Sequence, residues 1–314
     1  MKTMIMKGKK ILITGGAGFL GKNLVRKYHA NNEITVFSRD EAKHYYLKKQ
    51  FPSIRCVVGD IRNLDLLRRT GEGHNVGIFA ASLKQISAVD QNVDESIQII
   101  INGAINSRRC AEENRFEAAT FVSTDKSRAA TTLYGAMKFV ANESFIVNPN
   151  HTSTKLSAVI YGNVLNSTGS IIPLIWDSIK NNYELTLYDP EMTRFIIHID
   201  EAIELIETAL ETSGYNVIPN LKSMRIIDLF EIYRHRFGLK YTIGVPRISE
   251  KIHETMIASE ECSRTEFKPK LNAYFMHFKN VSETPISGSF DSDGVAITRE
   301  NLESLLESYN YFQP

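Results

Sequence analysis

Five residues in one stretch carry the clearest chemical signal in this sequence: Thr124, Asp125, Lys126, Tyr134 and Lys138. On a helix, Tyr-x-x-x-Lys places the phenol and the amine about one turn apart on a single face. An ammonium beside a phenol stabilises the phenolate, and a second cation nearby would bring a pKa of about 10 down toward neutrality. Tyr134 could then take a hydroxyl proton while hydride leaves the same carbon, with Thr124 orienting that hydroxyl. Asp125 and Lys126 are an adjacent acid and amine, which in isolation is the composition of a solvated turn.

A second cluster supplies a partner for hydride chemistry. Gly15-Gly16-Ala17-Gly18-Phe19-Leu20-Gly21 has a G-x-x-G-x-x-G spacing. It lies between an apolar run, Ile11 to Thr14, and a series at helical spacing, Leu20, Leu24, Val25 and Tyr28. A turn with positive φ, close approach of backbone to a pyrophosphate, and close helix-to-strand packing each call for a residue without a side chain. The helix N-terminus then faces the phosphates. Gly15, Gly18, Phe19, Leu20 and Gly21 are therefore the expected dinucleotide cradle.

The end of the second strand discriminates between nicotinamide cofactors. An acid there would accept from a ribose 2′-hydroxyl and favour NAD. Ser38 and Arg39 instead offer a hydroxyl and a guanidinium fork to a 2′-phosphate, so NADP is the expected cofactor. Asp40 comes late and reads as a cap for the following helix. Asp60 and Ile61 are expected near the adenine, and Ala80 and Ala81, ending the fourth strand, complete the cofactor set.

The elements that must position these groups follow from the hydrophobic pattern. Strands are expected at Ile11–Thr14, Ile34–Phe37, Ile54–Val58, Val76–Ala81, Thr120–Ser123 and Ala158–Tyr161, with helices between them, including a long one over Val93–Glu113. Such alternation gives an α/β Rossmann-type fold, a doubly wound parallel sheet. Beyond Asn163 the rhythm weakens, with helices at Ile171–Ile179, Asp200–Thr212 and Arg299–Ser308 and a loop over Ser282–Gly294. Residues 1–163 are read as the NADP-binding domain and 164–314 as a smaller C-terminal substrate-binding lobe. The two are partly interleaved, because Val217-Ile218 could return to the main sheet.

Composition narrows the function classes. Lys and Arg number 37 against 36 Asp and Glu, a net charge of +1, which argues against a nucleic-acid partner. Three scattered cysteines and eight scattered histidines offer neither a disulfide framework nor a metal motif, so no metal is expected and a cytoplasmic setting fits. No apolar run approaches the ~18 residues of a membrane span, and no membrane partner is expected. A hydrolase would need a G-x-S-x-G elbow, which is missing.

The motifs together closely resemble the extended short-chain dehydrogenase/reductases, and within them the UDP-N-acetylglucosamine 4,6-dehydratases, particularly the inverting group that opens pseudaminic acid biosynthesis. The resembling strings include Ser38-Arg39-Asp40-Glu41, Ala81-Ser82-Leu83-Lys84, Ser123-Thr124-Asp125-Lys126, Leu133-Tyr134-Gly135-Ala136, Tyr161-Gly162-Asn163-Val164, Met192-Thr193-Arg194-Phe195 and Arg247-x-x-Glu250-Lys251-x-His253-Glu254. The resemblance implies C4 oxidation, then abstraction of the C5 hydrogen by a Lys126 of lowered pKa. A protonated Asp125 helps the C6 hydroxyl leave as water, giving a 5,6-ene, and C5 inversion can follow. It implies tightly bound NADP recycled within each turnover, and a UDP-sugar held by Lys84, Asn163, Ser170, Arg194, Arg247 and Glu250. A dimer or hexamer is also implied.

Departures from the family pattern stand at Gln85, Ile100, Ala130-Thr131-Thr132, Ile160 and Ile248-Ser249. They leave open a partner enzyme that converts the 5,6-ene to the 4-keto-6-deoxy-L-altrose sugar, or a UDP-sugar 4-epimerase. From another class, an NADP-sensing binding protein without turnover could use the same fold.

Overall fold

A computed structural model describes residues 6–147, 152–246 and 248–313. The first half alternates as the sequence predicts: β1 (Lys10–Thr14), α1 (Phe19–Tyr28), β2 (Glu33–Ser38), α2 (Glu41–Gln50), β3 (Arg55–Val58), α3 (Leu64–Gly71), β4 (Val76–Phe79), α4 (Ile86–Gln91), α5 (Val93–Ser96), α6 (Gly103–Glu113), β5 (Ala118–Thr124), α7 (Leu133–Ile146) and β6 (Lys155–Tyr161). The second half adds β7 (Asn163–Val164), α8 (Ile171–Asn181), β8 (Leu185–Leu187), β9 (Thr193–Ile197), α9 (Ile199–Leu210), β10 (Tyr215–Pro219), β11 (Ser223–Arg225), α10 (Ile226–Phe237), β12 (Tyr241–Ile243), β13 (Thr255–Ile257), β14 (Thr265–Lys268), β15 (Ala273–His277), β16 (Phe290–Asp291) and α11 (Arg299–Ser308).

Nine strands form one sheet in the order β14-β15-β10-β6-β5-β4-β1-β2-β3. From β3 to β10 every neighbouring pair is parallel. Strands β15 and β14 extend the sheet antiparallel at the β10 side. Val217 pairs with Val159, so the strand expected to return from the second half does so.

Burial follows the two-residue period of a strand covered on both faces. Ile11 and Ile13 point into one core with Leu24 and Val25 of α1 and Ile203 and Ile206 of α9. Leu12 points into the other with Leu67 of α3, Ala111 of α6 and Phe145 of α7. Each such side chain, fully buried, contributes about 1.5–3 kcal/mol. A third core, with Ile172, Ile226, Leu229, Tyr233 and Leu302, builds the second lobe from α8, α10 and α11.

Two segments differ from expectation. The helix read over Val93–Glu113 is interrupted by a π-helical stretch, Ile97–Asn102. An apolar period near 3.6 does not register this local widening. The loop read over Ser282–Gly294 contains β16, which pairs antiparallel with β13 and packs Phe290 against Phe195 at 5.1 Å.

Candidate active site

At the carboxyl end of β1 the glycines form the expected turn. Gly15 adopts φ +68°, and a Cβ there would lie 3.0 Å from the Ala81 nitrogen and 3.1 Å from the Ala80 carbonyl. A Cβ on Gly21 would lie 2.3 Å from the Gly16 Cα, so α1 packs onto the turn only because Gly21 has no side chain. Gly18 is the cap of α1, and Phe19 and Leu20 are its first residues. The first-turn N–H groups of a helix lack carbonyl partners within it, which suits an anion. Ala80 and Ala81 are held against β1 by bonds from their N–H groups to the Thr14 carbonyl and hydroxyl, each 3.3 Å. The cradle, the strand ends and the helix N-terminus together fit a dinucleotide.

Past β2, Ser38 Oγ lies 2.6 Å from His44 Nε2. Asp40 caps α2 by accepting from the Lys43 N–H at 2.9 Å, so its carboxylate is spent locally. Asp60 is gripped by Arg62, with Nε to Oδ1 at 3.0 Å and a terminal nitrogen to Oδ2 at 2.9 Å. Arg39 is 3.9 Å from the same carboxylate and more than half exposed. Ile61 is buried against Gly103, and its carbonyl accepts from Asn106 Nδ2 at 3.1 Å. Arg62 was not singled out from the sequence, although its spacing two residues after Asp60 is that of a local bidentate pair.

The catalytic candidates converge where β5 ends. Asp125–Ser127 is a single 3₁₀ turn capped by Thr124. Thr124 Oγ1 donates to Asp125 Oδ1 at 2.9 Å, and the Lys126 N–H donates to the same oxygen at 2.8 Å. Lys126 Nζ bridges Asp125 Oδ1 at 3.2 Å and Glu254 Oε1 at 3.1 Å. Asp125 is completely buried, and its Oδ2 has no hydrogen-bond partner. Burial pushes its carboxyl pKa up against the pull of Lys126, with Glu254 adding to the rise.

Tyr134 and Lys138 lie on α7, whose approach to this turn depends on Gly135. A Cβ on Gly135 would sit 2.3 Å from the Lys126 carbonyl oxygen. The tyrosine is buried, and burial pushes its pKa up to about 12, with Lys126 opposing and Asp125 adding. Lys138 Nζ donates to the Val122 carbonyl at 3.0 Å and lies 4.7 Å over the Phe121 ring. Burial lowers its pKa to about 7.

Two electrostatic expectations need correction. Lys126 is not a lysine of lowered pKa: burial does act downward, but the flanking Asp125 and Glu254 carboxylates outweigh it and the net shift is upward. Nor does Lys138 bring the Tyr134 phenol toward neutrality within the chain alone, because its amine is engaged with β5 instead.

Residues of the second half meet these strand ends, as the contact of Glu254 with Lys126 shows. Lys84, after β4, donates to the Thr168 carbonyl. Ser170 caps α8 with its backbone, leaving its buried Oγ without a partner. Asn163 opens β7, paired to Ile196 of β9 and half-buried. Arg194, on β9, donates to the Thr193 and Ile252 carbonyls at 2.8 and 3.0 Å and to Glu250 at 3.3 Å, and its Nε is 3.8 Å from Glu254. Glu250 Oε2 is buried without a partner. Arg247 lies outside the described residues.

Glu254 and Arg128 were missed from the sequence. Glu254 stood in a quoted motif, but its pairing with Lys126 spans much of the chain and leaves no local signal. Arg128 is 1% exposed. Its N–H donates to the Asp125 carbonyl at 2.9 Å, its guanidinium pairs with Glu261 at 2.7 Å and Glu143 at 3.2 Å, and its carbonyl accepts from Lys251 Nζ at 2.6 Å.

A parallel sheet of this order, a glycine turn after β1 and a Tyr-x-x-x-Lys helix after β5 define an extended short-chain dehydrogenase/reductase. The family described as polysaccharide biosynthesis protein matches over residues 11–275, and the chain belongs to it. The resemblance to the UDP-N-acetylglucosamine 4,6-dehydratases is borne out by similarity to the inverting enzyme of Campylobacter jejuni, 33% identical over 83% of this chain and 81% of that protein. An uncharacterised membrane protein of Methanocaldococcus jannaschii is 31% identical over 97% of each chain. No helix among the described residues is long and apolar enough to cross a membrane. Among solved structures, Pen from Bacillus thuringiensis superposes with a TM-score of 0.89 at 26% identity, covering 98% of this chain and 100% of that one.

Proposed function

We propose that the chain is an NADP-dependent UDP-N-acetylglucosamine 4,6-dehydratase. The observation that carries this reading is the wholly buried Asp125, raised in pKa and bonded to Lys126, beside Tyr134. Oxidation at C4 needs the tyrosine and a lysine like Lys138; elimination needs an acid and a base besides, which Asp125 and Lys126 would supply. Asp60 is held mainly by Arg62, while Arg39, 3.9 Å from the same carboxylate and more than half exposed, can turn to a 2′-phosphate, which supports NADP.

In this reading Tyr134 takes the C4 hydroxyl proton while Thr124 orients that hydroxyl. NADP, when bound, supplies the hydride acceptor and returns the hydride within the turnover. Oxidation at C4 acidifies the C5 hydrogen, which Lys126 removes in its neutral form, the minor one given the upward shift set by Asp125 and Glu254. Asp125, whose pKa burial raises, delivers a proton from Oδ2 in its protonated form to the departing C6 oxygen, so that water leaves. Lys84, Asn163, Ser170, Arg194, Arg247 and Glu250 hold the UDP portion, with the two arginines suited to its diphosphate.

Mass spectrometry of the product from UDP-N-acetylglucosamine tests the reading. Loss of one water is expected, and Tyr134→Phe should slow it by about 10²–10⁴-fold. An unchanged mass with altered stereochemistry would show an epimerase instead.

A further inference from the structure

One buried charge has no task in that scheme. Glu254 is 3% exposed, and three cations converge on it: Lys126 at 3.1 Å and Arg194 at 3.8 Å on Oε1, Lys251 at 3.9 Å on Oε2. Its backbone is fixed on both sides. The Glu254 N–H donates to Ser292 Oγ at 2.8 Å, and the Ser292 N–H donates to the Glu254 carbonyl at 2.9 Å. The carboxylate is thus presented by a braced segment, and it holds the Lys126 ammonium against Asp125 on the far side.

We propose that Glu254 is the positioning residue of the elimination step, aiming the Lys126 amine and, as its counter-charge, setting the pH at which Lys126 gives up its proton. The proposal rests on the dehydratase reading, since it takes Lys126 as the group that removes the C5 hydrogen. A lysine side chain loses rotamer entropy when it is fixed. The two-sided clamp fixes Nζ before substrate arrives, which is the condition for a near-attack geometry. A carboxylate at this distance also favours the ammonium strongly where water is excluded.

The groups around the pair come from every neighbouring element. Asp125 lies on the 3₁₀ turn, Arg194 on β9, Glu250 and Lys251 before β13, Tyr134 on α7 and Asp291 on β16. Burial raises the Glu254 pKa, but Lys126, then Arg194 and Lys251, outweigh it and the net shift is downward. Of the two carboxylates on Lys126, Asp125 is the proposed acid for the leaving oxygen. Glu254 is therefore the one whose removal alters Lys126 without removing that acid.

The test uses the full chain and its Glu254→Gln and Glu254→Asp variants, with UDP-N-acetylglucosamine deuterated at C5. Release of deuterium to water is followed against pH, beside a thermal melt of each protein. In the unsubstituted chain, release rises with pH as Lys126 deprotonates. Glu254→Gln should move that limb to lower pH, because the counter-charge is gone, and lower the plateau by about 10–10²-fold as the amine loses its aim. Glu254→Asp keeps the charge on a shorter stem, so its limb should stay near the original pH with a reduced plateau. A Glu254→Gln protein that melts earlier and turns over more slowly, yet keeps the original limb, has lost only structure and overturns the proposal; so does an unchanged rate. An unsubstituted chain that releases no deuterium removes the dehydratase reading itself, which separates the two failures.

Discussion

Lys138 is 3% exposed, and burial takes its pKa from 10.5 to about 7. Between those values the unfolded chain binds a proton that the folded chain does not. Stability therefore rises with pH across that window, and the penalty is fully present below about pH 7. Lys138→Met should abolish turnover and yet raise stability by about 1 kcal/mol near pH 6, with the gain fading toward pH 10. Paired thermal melts at the two pH values check this; a gain that persists unchanged at the higher pH would show that packing, not charge, is responsible. At this scale the sequence was informative where chemistry is local. Tyr134 and Lys138 share one helix, and Asp125 and Lys126 are adjacent, so their proximity could be read directly. The sign of the shift on Lys126 could not, because it depends on Glu254, which only the tertiary fold brings within 3.1 Å.

Among the elements, α7 is the one whose placement decides the site. Its third residue, Gly135, lies so close to the Lys126 carbonyl that any side chain must push the helix away. Gly135→Ala should cost about 1–3 kcal/mol in stability from overpacking. It should also slow turnover by about 10²-fold, since Tyr134 moves with the helix relative to the Asp125–Lys126 turn. Chemical denaturation and a steady-state rate measure the two effects, and a stable, fully active Gly135→Ala protein would refute the packing argument. The strong parallel strands and α11 were legible because their apolar residues are continuous or periodic. Elements of the second half such as β13, β14 and β16 were not. They are two to four residues long, too short for any period to show.

Over the whole molecule, the second half is woven into the first. Strand β10 pairs with β6 inside the nine-stranded sheet, and α9 covers one of its faces with Ile203 and Ile206. A chain cut after Asn163, the boundary drawn from the sequence, would expose that face and the hydrogen-bonding edge of β6. It should aggregate or fail to melt cooperatively. A soluble fragment with a sharp thermal transition would show that the first half folds alone.

The same weave has a consequence for a chain growing from its N-terminus. Strands β1 to β5 and the glycine turn emerge long before Arg194, Glu254 and Glu261. Until those residues emerge and dock, the turn at Asp125 lacks the clamp on Lys126 and one of the two carboxylates that hold Arg128. Completion of the site and cover for the edge of β6 thus arrive together, when the last third of the chain docks.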